Sequence, residues 1–412
     1  MIRLQDWLRA SGFDGIIISR RDNFTWLANE LMAQNTASDG NALSQPAPSN
    51  NAAQHSIPRN WVLSNAPVGI ASLYIPRISS DHDDNFMDRS GNSEVQGDDT
   101  NTHSDGNRIL LIADSIDGSR ILEEELEGSS IIELKQYPWH ANAVDFCRDI
   151  IGDKKIASDT GIAGTINVQA DLVEIRSILN EREQQTYRRL GRKCAEIVEG
   201  VCRVAIPGMT ENHVANLVKQ HCIAAGISPD CVLVGSDERI MKYRHPMPTD
   251  RTIDNLMMIV LGAEQAGLNV SLTRFVSFGQ PSAEQLDRLA KTQKIFAEMQ
   301  GLMEAGLPYA TYFQQVQKLY AAADCPDEWQ KHHQGGPTGY ACREKIVTPN
   351  STGHIKLNQA YAWNPSITGA KAEDTTLLTS SNLEILTRTN DWPTTVFQTA
   401  NGPISVADIL VR

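Results

Sequence analysis

This chain is short of positive charge relative to negative. Its 37 Lys and Arg stand against 50 Asp and Glu, a formal net charge of -13 at pH 7. Binding along a phosphate backbone needs a basic face, as does adhesion to an anionic lipid surface, so the charge argues against nucleic acid and membrane partners. Long apolar runs are missing as well: none could span a bilayer. The short run at residues 15–19 lacks the core and small-residue cleavage site of a signal peptide. The seven cysteines (Cys147, Cys194, Cys202, Cys222, Cys231, Cys325, Cys342) are odd in number, scattered, and contain no CxxC pair. That argues against a disulfide framework or a thiolate zinc site and suits a reduced, cytoplasmic protein. A small molecule or another protein is the partner that remains.

What is present is enough for two cores. The chain has 412 residues, 41% of them hydrophobic and 21% charged, the balance of a globular protein longer than one typical domain. Residues 2–12 pattern as an amphipathic helix feeding the apolar run at 15–19. From about 33 to 107 the composition turns to Asn, Ser, Asp, Gly and Gln, which reads as a long polar insertion, largely loop or disordered, with one or two strands at the patches 61–63 and 68–76. His55, His82 and His103 lie inside it, and His82 among aspartates reads as a solvated loop. Strands at 108–113, 130–134 and 154–159, with helices near 121–126 and 143–150, indicate an α/β layer domain over 1–165.

The second domain, 166–412, opens with a helical pattern at 181–204, broken by Pro207 and Gly208, and a second helix from about 210 to 226. Strand-like runs follow at 231–234, 256–261 and 268–278. The order then repeats: helices at 283–303 and 312–323, and strands at 360–363, 375–379 and 384–387. Two helices then strands, twice, suggest a duplicated α+β half-domain with a site on its pseudo-two-fold axis. In the second copy the run KHHQGGPTGYACRE at 331–344 mixes glycines with titratable groups more densely than any other segment. It reads as a sharply shaped loop carrying His332, His333, Arg343 and Glu344, either as the wall of a site or as a solvated Gly-rich turn.

The order of motifs resembles the pita-bread fold family of creatinase, aminopeptidase P, proline dipeptidase and methionine aminopeptidase. The residues carrying it are IRSI at 175–178, PGMTE at 207–211, LG at 261–262 through Gly267, LTR at 272–274 and AEDT at 372–375. The resemblance covers about 170–390 well and the first domain more weakly. It implies an α+β pita-bread domain preceded by a smaller α/β domain, and relatives with this layout are commonly dimers, so a homodimer is expected. The family's peptidases hold two divalent metals with two aspartates, a histidine and two glutamates. In this chain the corresponding positions are Val260, Ser271, Gly336 and Asn364, and only Glu373 keeps its carboxylate. One carboxylate with a serine, an amide and a valine cannot hold a pair of hard divalent ions. The expectation is therefore no cofactor and a degenerate metal site.

By the same resemblance His245, in YRHP at 243–246, and His332 fall on substrate-facing histidines, and Arg343 replaces a third. Two imidazoles, a guanidinium and Glu373 contain the parts for acid/base work on a carboxylate-bearing substrate: His245, His332 and Glu373 as catalytic groups, Arg343 and His333 as binding groups. Each has a plainer reading too: His245 as a loop hydrogen bonder, one of the adjacent histidines as a surface group, Arg343 as the ion-pair partner of Glu344, Glu373 as a strand residue. Three functions stay open. One is a metal-independent, creatinase-like hydrolase of a small nitrogen compound; the second is a non-catalytic pseudo-peptidase that binds a ligand or protein. The third is a metal-dependent aminopeptidase or proline dipeptidase, and a mononuclear zinc on His245, His332 or His333, and Glu373 is a variant of the chemistry.

Overall fold

The structure is a computed structural model that describes residues 1–38, 60, 62, 66–78 and 108–412. Most of the stretch read as a polar insertion, with His55, His82 and His103, lies outside the described residues. Two compact units result, Met1–Arg176 and Ser177–Arg412.

In the first unit, helix α1 (Ile2–Ser11) buries Leu4 and Leu8 and stops at Gly12, whose positive φ of 70 lets its N–H close back on Leu8. The apolar run becomes strand β1 (Gly15–Arg20), and helix α2 (Arg21–Ser38) follows at once, burying Phe24, Trp26 and Leu27. The insertion expected from 33 thus begins inside a helix. Strands β2 (Val68–Pro76), β3 (Ile109–Asp114), β4 (Ile132–Tyr137), β5 (Ile156–Ser158) and β6 (Ile166–Asn167) complete a six-stranded sheet in the order β4-β3-β2-β1-β5-β6. The acidic helix expected near 121–126 is a single turn, α3 (Gly118–Arg120), running into a π-helical turn at Ile121–Glu125. Helices α4 (Ala143–Ile151) and α5 (Gln169–Arg176) follow β4 and β6. The unit ends at Arg176, beyond the expected boundary at 165. Strand β6 pairs with β5, and buried Arg176 reaches back to Asp22 at 3.0 Å.

The second unit carries the helix-helix-strand order twice. Helix α6 (Glu181–Val204) starts with a capping box between Asn180 and Glu183 and buries Tyr187, Leu190, Cys194 and Val201 on one face. Helix α7 (Glu211–Ala224), strand β7 (Ser228–Ser236), the short α8 (Glu238–Lys242), β8 (Leu256–Gln265) and β9 (Leu268–Ser277) complete the first copy. The second has α9 (Ala283–Gly301), α10 (Tyr309–Ala322), β10 (Gly335–Thr338), β11 (Gln359–Trp363), the hairpin β12 (Ser366–Ile367) and β13 (Ala370–Lys371), β14 (Asp374–Leu378) and β15 (Leu383–Ile385). A closing hairpin, β16 (Thr394–Thr399) with β17 (Gly402–Ala407), and β18 (Leu410–Val411) end the chain.

Two four-stranded sheets result, β18-β9-β8-β7 and β10-β11-β14-β15. They meet where β9 runs past the entry to β14. Thr273 N–H donates to the Glu373 carbonyl at 3.0 Å, and Thr375 Oγ1 accepts from Ser271 N–H at 2.8 Å. One apolar core, including Val260, Phe275, Phe296, Tyr312 and Trp363, lies behind this junction. Among the described residues no helix is long and apolar enough to cross a membrane.

Candidate functional site

Three imidazoles collect at the junction. His245 follows α8 on an exposed turn; His332 ends a 3-10 turn (Glu328–Lys331) with extended backbone and is buried. Their Nε2 atoms are 3.0 Å apart, and His332 Nδ1 lies 3.1 Å from Ser366 Oγ at the start of β12. Only one proton fits between the two Nε2 atoms, so one ring donates to the other and the tautomers are linked. Ser366 is itself fixed, its N–H donating to Tyr320 Oη at 3.0 Å. His333 stacks obliquely 4.5 Å from His332, and its Nδ1 is buried without a hydrogen-bond partner. Both adjacent histidines therefore belong to the cluster. Burial, followed by the positive charge of Lys371, lowers the basicity of His332 to a pKa of about 2. Burial and Arg343 lower His333 to about 4, and burial and Lys371 lower His245. At neutral pH the cluster is uncharged.

Beside it lies a carboxylate fixed from three directions. Glu373 Oε2 accepts from Lys371 Nζ at 2.7 Å and from Thr273 Oγ1 at 2.8 Å, while Oε1 accepts from Arg343 at 3.0 Å. Burial alone raises a carboxyl's pKa; here Lys371 and then Arg343 outweigh it and hold Glu373 at about 2. Arg343 also donates to Ser271 Oγ at 3.1 Å, so it pairs with Glu373 and not with its neighbour Glu344. The Lys371 side chain is 3% exposed. Neither Lys371 nor Ser366 was foreseen from the sequence. A lysine is ordinarily solvent-facing, but its spacing of two from Glu373 is a readable signal, because in an extended segment such residues share a face. Asp374 points the other way, to Arg274 at 3.0 Å, which also holds Glu199 at 3.0 Å.

The positions where the resembled peptidases carry metal ligands do not fit a pair of divalent ions. Val260 sits in mid-β8 between Leu233 and Thr273, within the apolar core. A Cβ at Gly336 would lie 2.2 Å from the Lys345 carbonyl oxygen, so the backbone there has no room for a side chain. Asn364 Oδ1 is buried without a partner, and Ser271 already accepts from Arg343. Glu373, the only carboxylate of the set, is occupied by two cationic side chains. The imidazoles of His245, His332 and His333 offer ligand atoms within 4.8 Å of one another, the donor number of a mononuclear zinc site. The fixed charges of Lys371 and Arg343, which depress these same rings, oppose a divalent ion there.

Comparison with known proteins agrees with this architecture. Residues 185–380 match the model of metallopeptidase family M24. An uncharacterized peptidase of Staphylococcus haemolyticus (strain JCSC1435) is 24% identical over 251 residues, which are 57% of this chain and 69% of that protein. Among solved structures, the Xaa-Pro dipeptidase from Bacillus anthracis aligns over 100% of this chain and 98% of its own, with a TM-score of 0.67 at 13% identity. The X-Pro aminopeptidase from Thermotoga maritima aligns over 97% and 98% with a TM-score of 0.62 at 15% identity. The prolidase from Pyrococcus furiosus gives 0.63 over 94% and 100% at 13% identity. At such identities the likeness is one of fold.

Proposed function

For a chain whose residues 185–380 match the model of metallopeptidase family M24 and whose second unit has the pita-bread fold, we propose a metal-independent, creatinase-like hydrolase of a small carboxylate-bearing nitrogen compound. One observation carries the reading: both oxygens of Glu373 are taken by cations of the chain itself, Lys371 at 2.7 Å and Arg343 at 3.0 Å. A side-chain cation cannot leave, so the charge that a metal would supply is supplied covalently.

In this reading Arg343 receives the substrate carboxylate. His245, the exposed ring of the pair, takes a proton from water as the hydroxyl adds to the carbon of the scissile C–N bond. The linked His245–His332 pair returns a proton to the departing nitrogen, which leaves as a neutral amine. Ser366 holds the orientation of His332 through Nδ1. Glu373 keeps Lys371 and Arg343 in place and takes no proton at neutral pH, since its own pKa lies at about 2. The protein is read as cytoplasmic and homodimeric, without nucleic acid or membrane partners, and sedimentation equilibrium measures its mass in solution.

Screening metal-free protein against guanidino acids, amino-acid amides and dipeptides tests the proposal. Turnover that survives a chelator and disappears in His245→Ala is expected; turnover restored only by Mn, Co or Zn contradicts it. A second reading, a pseudo-peptidase that binds a ligand or protein, draws on the basicity of His332, which burial and Lys371 reduce to a pKa of about 2. A ring so weakly basic is a poor proton acceptor. That reading predicts no turnover across the same screen while a ligand still raises the Tm.

A further inference from the structure

We propose that Lys371 is a ligand-binding residue: its ammonium and the Arg343 guanidinium together hold the carboxylate of a small monoanion beside the three imidazoles. The inference deepens the functional reading above and rests on the same site, but it concerns binding and not turnover.

Three observations lead to it. A protonated amine has three N–H groups, and at a side chain 3% exposed each needs an acceptor. Among the described residues Lys371 has one, Glu373 Oε2 at 2.7 Å. Two further N–H groups of the ammonium can bond an additional acceptor. The second observation is Arg343 Nε, another buried donor with no partner, in a guanidinium whose terminal nitrogens already serve Glu373 and Ser271. His333 Nδ1 is a third unpaired polar atom in the same cluster. A group that supplies several acceptor oxygens at once satisfies this set, and a carboxylate does so with charge-assisted bonds.

The third observation is the charge. Lys371 and Arg343 bring two positive charges and Glu373 one negative. The neighbouring acids are committed elsewhere: Asp374 and Glu199 to Arg274, Glu328 to Arg244 and Lys331. The site is left with one uncompensated positive charge in a buried setting, where an unpaired charge is costly. A monoanion cancels it; a dianion overshoots, and a cation adds to it. The partner that matches this charge is a small monocarboxylate.

Isothermal titration calorimetry on the full chain tests this, with acetate as probe and acetamide, which has the same shape without the charge, as control. Acetate is expected to bind at least tenfold more tightly than acetamide. Lys371→Met should lose at least tenfold in acetate affinity, and Lys371→Arg should recover most of it. Because Lys371→Met leaves Glu373 less compensated, the double variant Lys371→Met with Glu373→Gln removes both charges and is expected to fold and still fail to bind. Equal acetate affinity in wild type and in that double variant would overturn the proposal, as would absence of acetate binding by the wild type. Triglycine binding more tightly than acetate would overturn the assignment to a small acid in favour of a peptide terminus. Loss of binding in Lys371→Met by a chain that hydrolyses nothing supports this inference while removing the hydrolase reading. Chelator-resistant turnover with unchanged acetate binding in the double variant does the reverse.

Discussion

Glu373 and Asp374 are neighbours in sequence, both buried, and opposite in behaviour. Glu373 has two cations to itself and is held at a pKa of about 2, against an ordinary value of 4.5. Asp374 shares one guanidinium, Arg274, with Glu199; burial then prevails over that partner and raises its pKa from 3.8 to about 6. The alternation of an extended chain sends one side chain to the imidazole cluster and the other to the packed side of the sheet. The difference lies in the ratio of cations to carboxylates. Where that ratio exceeds one, charge remains for a ligand; where it falls below one, the group serves only the fold.

The largest effect is expected at Arg274, on the packed side of the sheet. Arg274→Met would strand two buried carboxylates and should cost about 3–5 kcal/mol in urea unfolding. On the site's side, Lys371→Met removes one charged hydrogen bond while Arg343 still holds Glu373, so a loss of about 1.5–3 kcal/mol is expected from the same measurement. A loss as large as that of Arg274→Met would mean that Lys371 serves the fold alone. Stability against pH should separate the two carboxylates by sign. Glu373 has a depressed folded pKa, so its contribution is complete above about 4.5 and is lost as pH falls toward 2. Asp374 has a raised folded pKa, so the folded state keeps an extra proton between 3.8 and about 6, and stability falls as pH rises through that window. Asp374→Asn should abolish the fall and leave the acid limb intact; Glu373→Gln should remove the acid limb only. The smallest stability change is expected at exposed His245, where His245→Ala should shift unfolding by no more than about 0.5 kcal/mol while abolishing any turnover. A large stability loss there would assign it to the fold.

Much of this organisation was legible in the sequence. The helix at 181–204 announced itself by apolar spacing and the Pro207-Gly208 break after it, and α6 has those ends. The twofold helix-helix-strand order followed from periodicity in the same way. Helix α2 did not, because Asn, Thr and Ala interrupt its apolar face and it follows β1 without a turn. Residues 335–338 read as loop because they contain two glycines and a proline, yet they form strand β10, paired with β11 through backbone groups that need no β-forming side chain. At the site, His245, His332, His333, Arg343 and Glu373 were singled out from residue type and motif position, and the fold brings them together. Lys371 escaped because its burial depends on Glu373 and Arg343, partners that only the junction of two sheets assembles. Ser366 escaped because a serine becomes informative only when an imidazole is found beside it.

In the proposed hydrolase, side-chain cations occupy the place of metal ions. Elemental analysis of the purified protein, before and after dialysis against a chelator, tests it most directly. Well under one equivalent of Mn, Fe, Co or Zn per chain is expected, with the Tm unchanged by the chelator. One or two equivalents that leave with the chelator and take stability or turnover with them would contradict it.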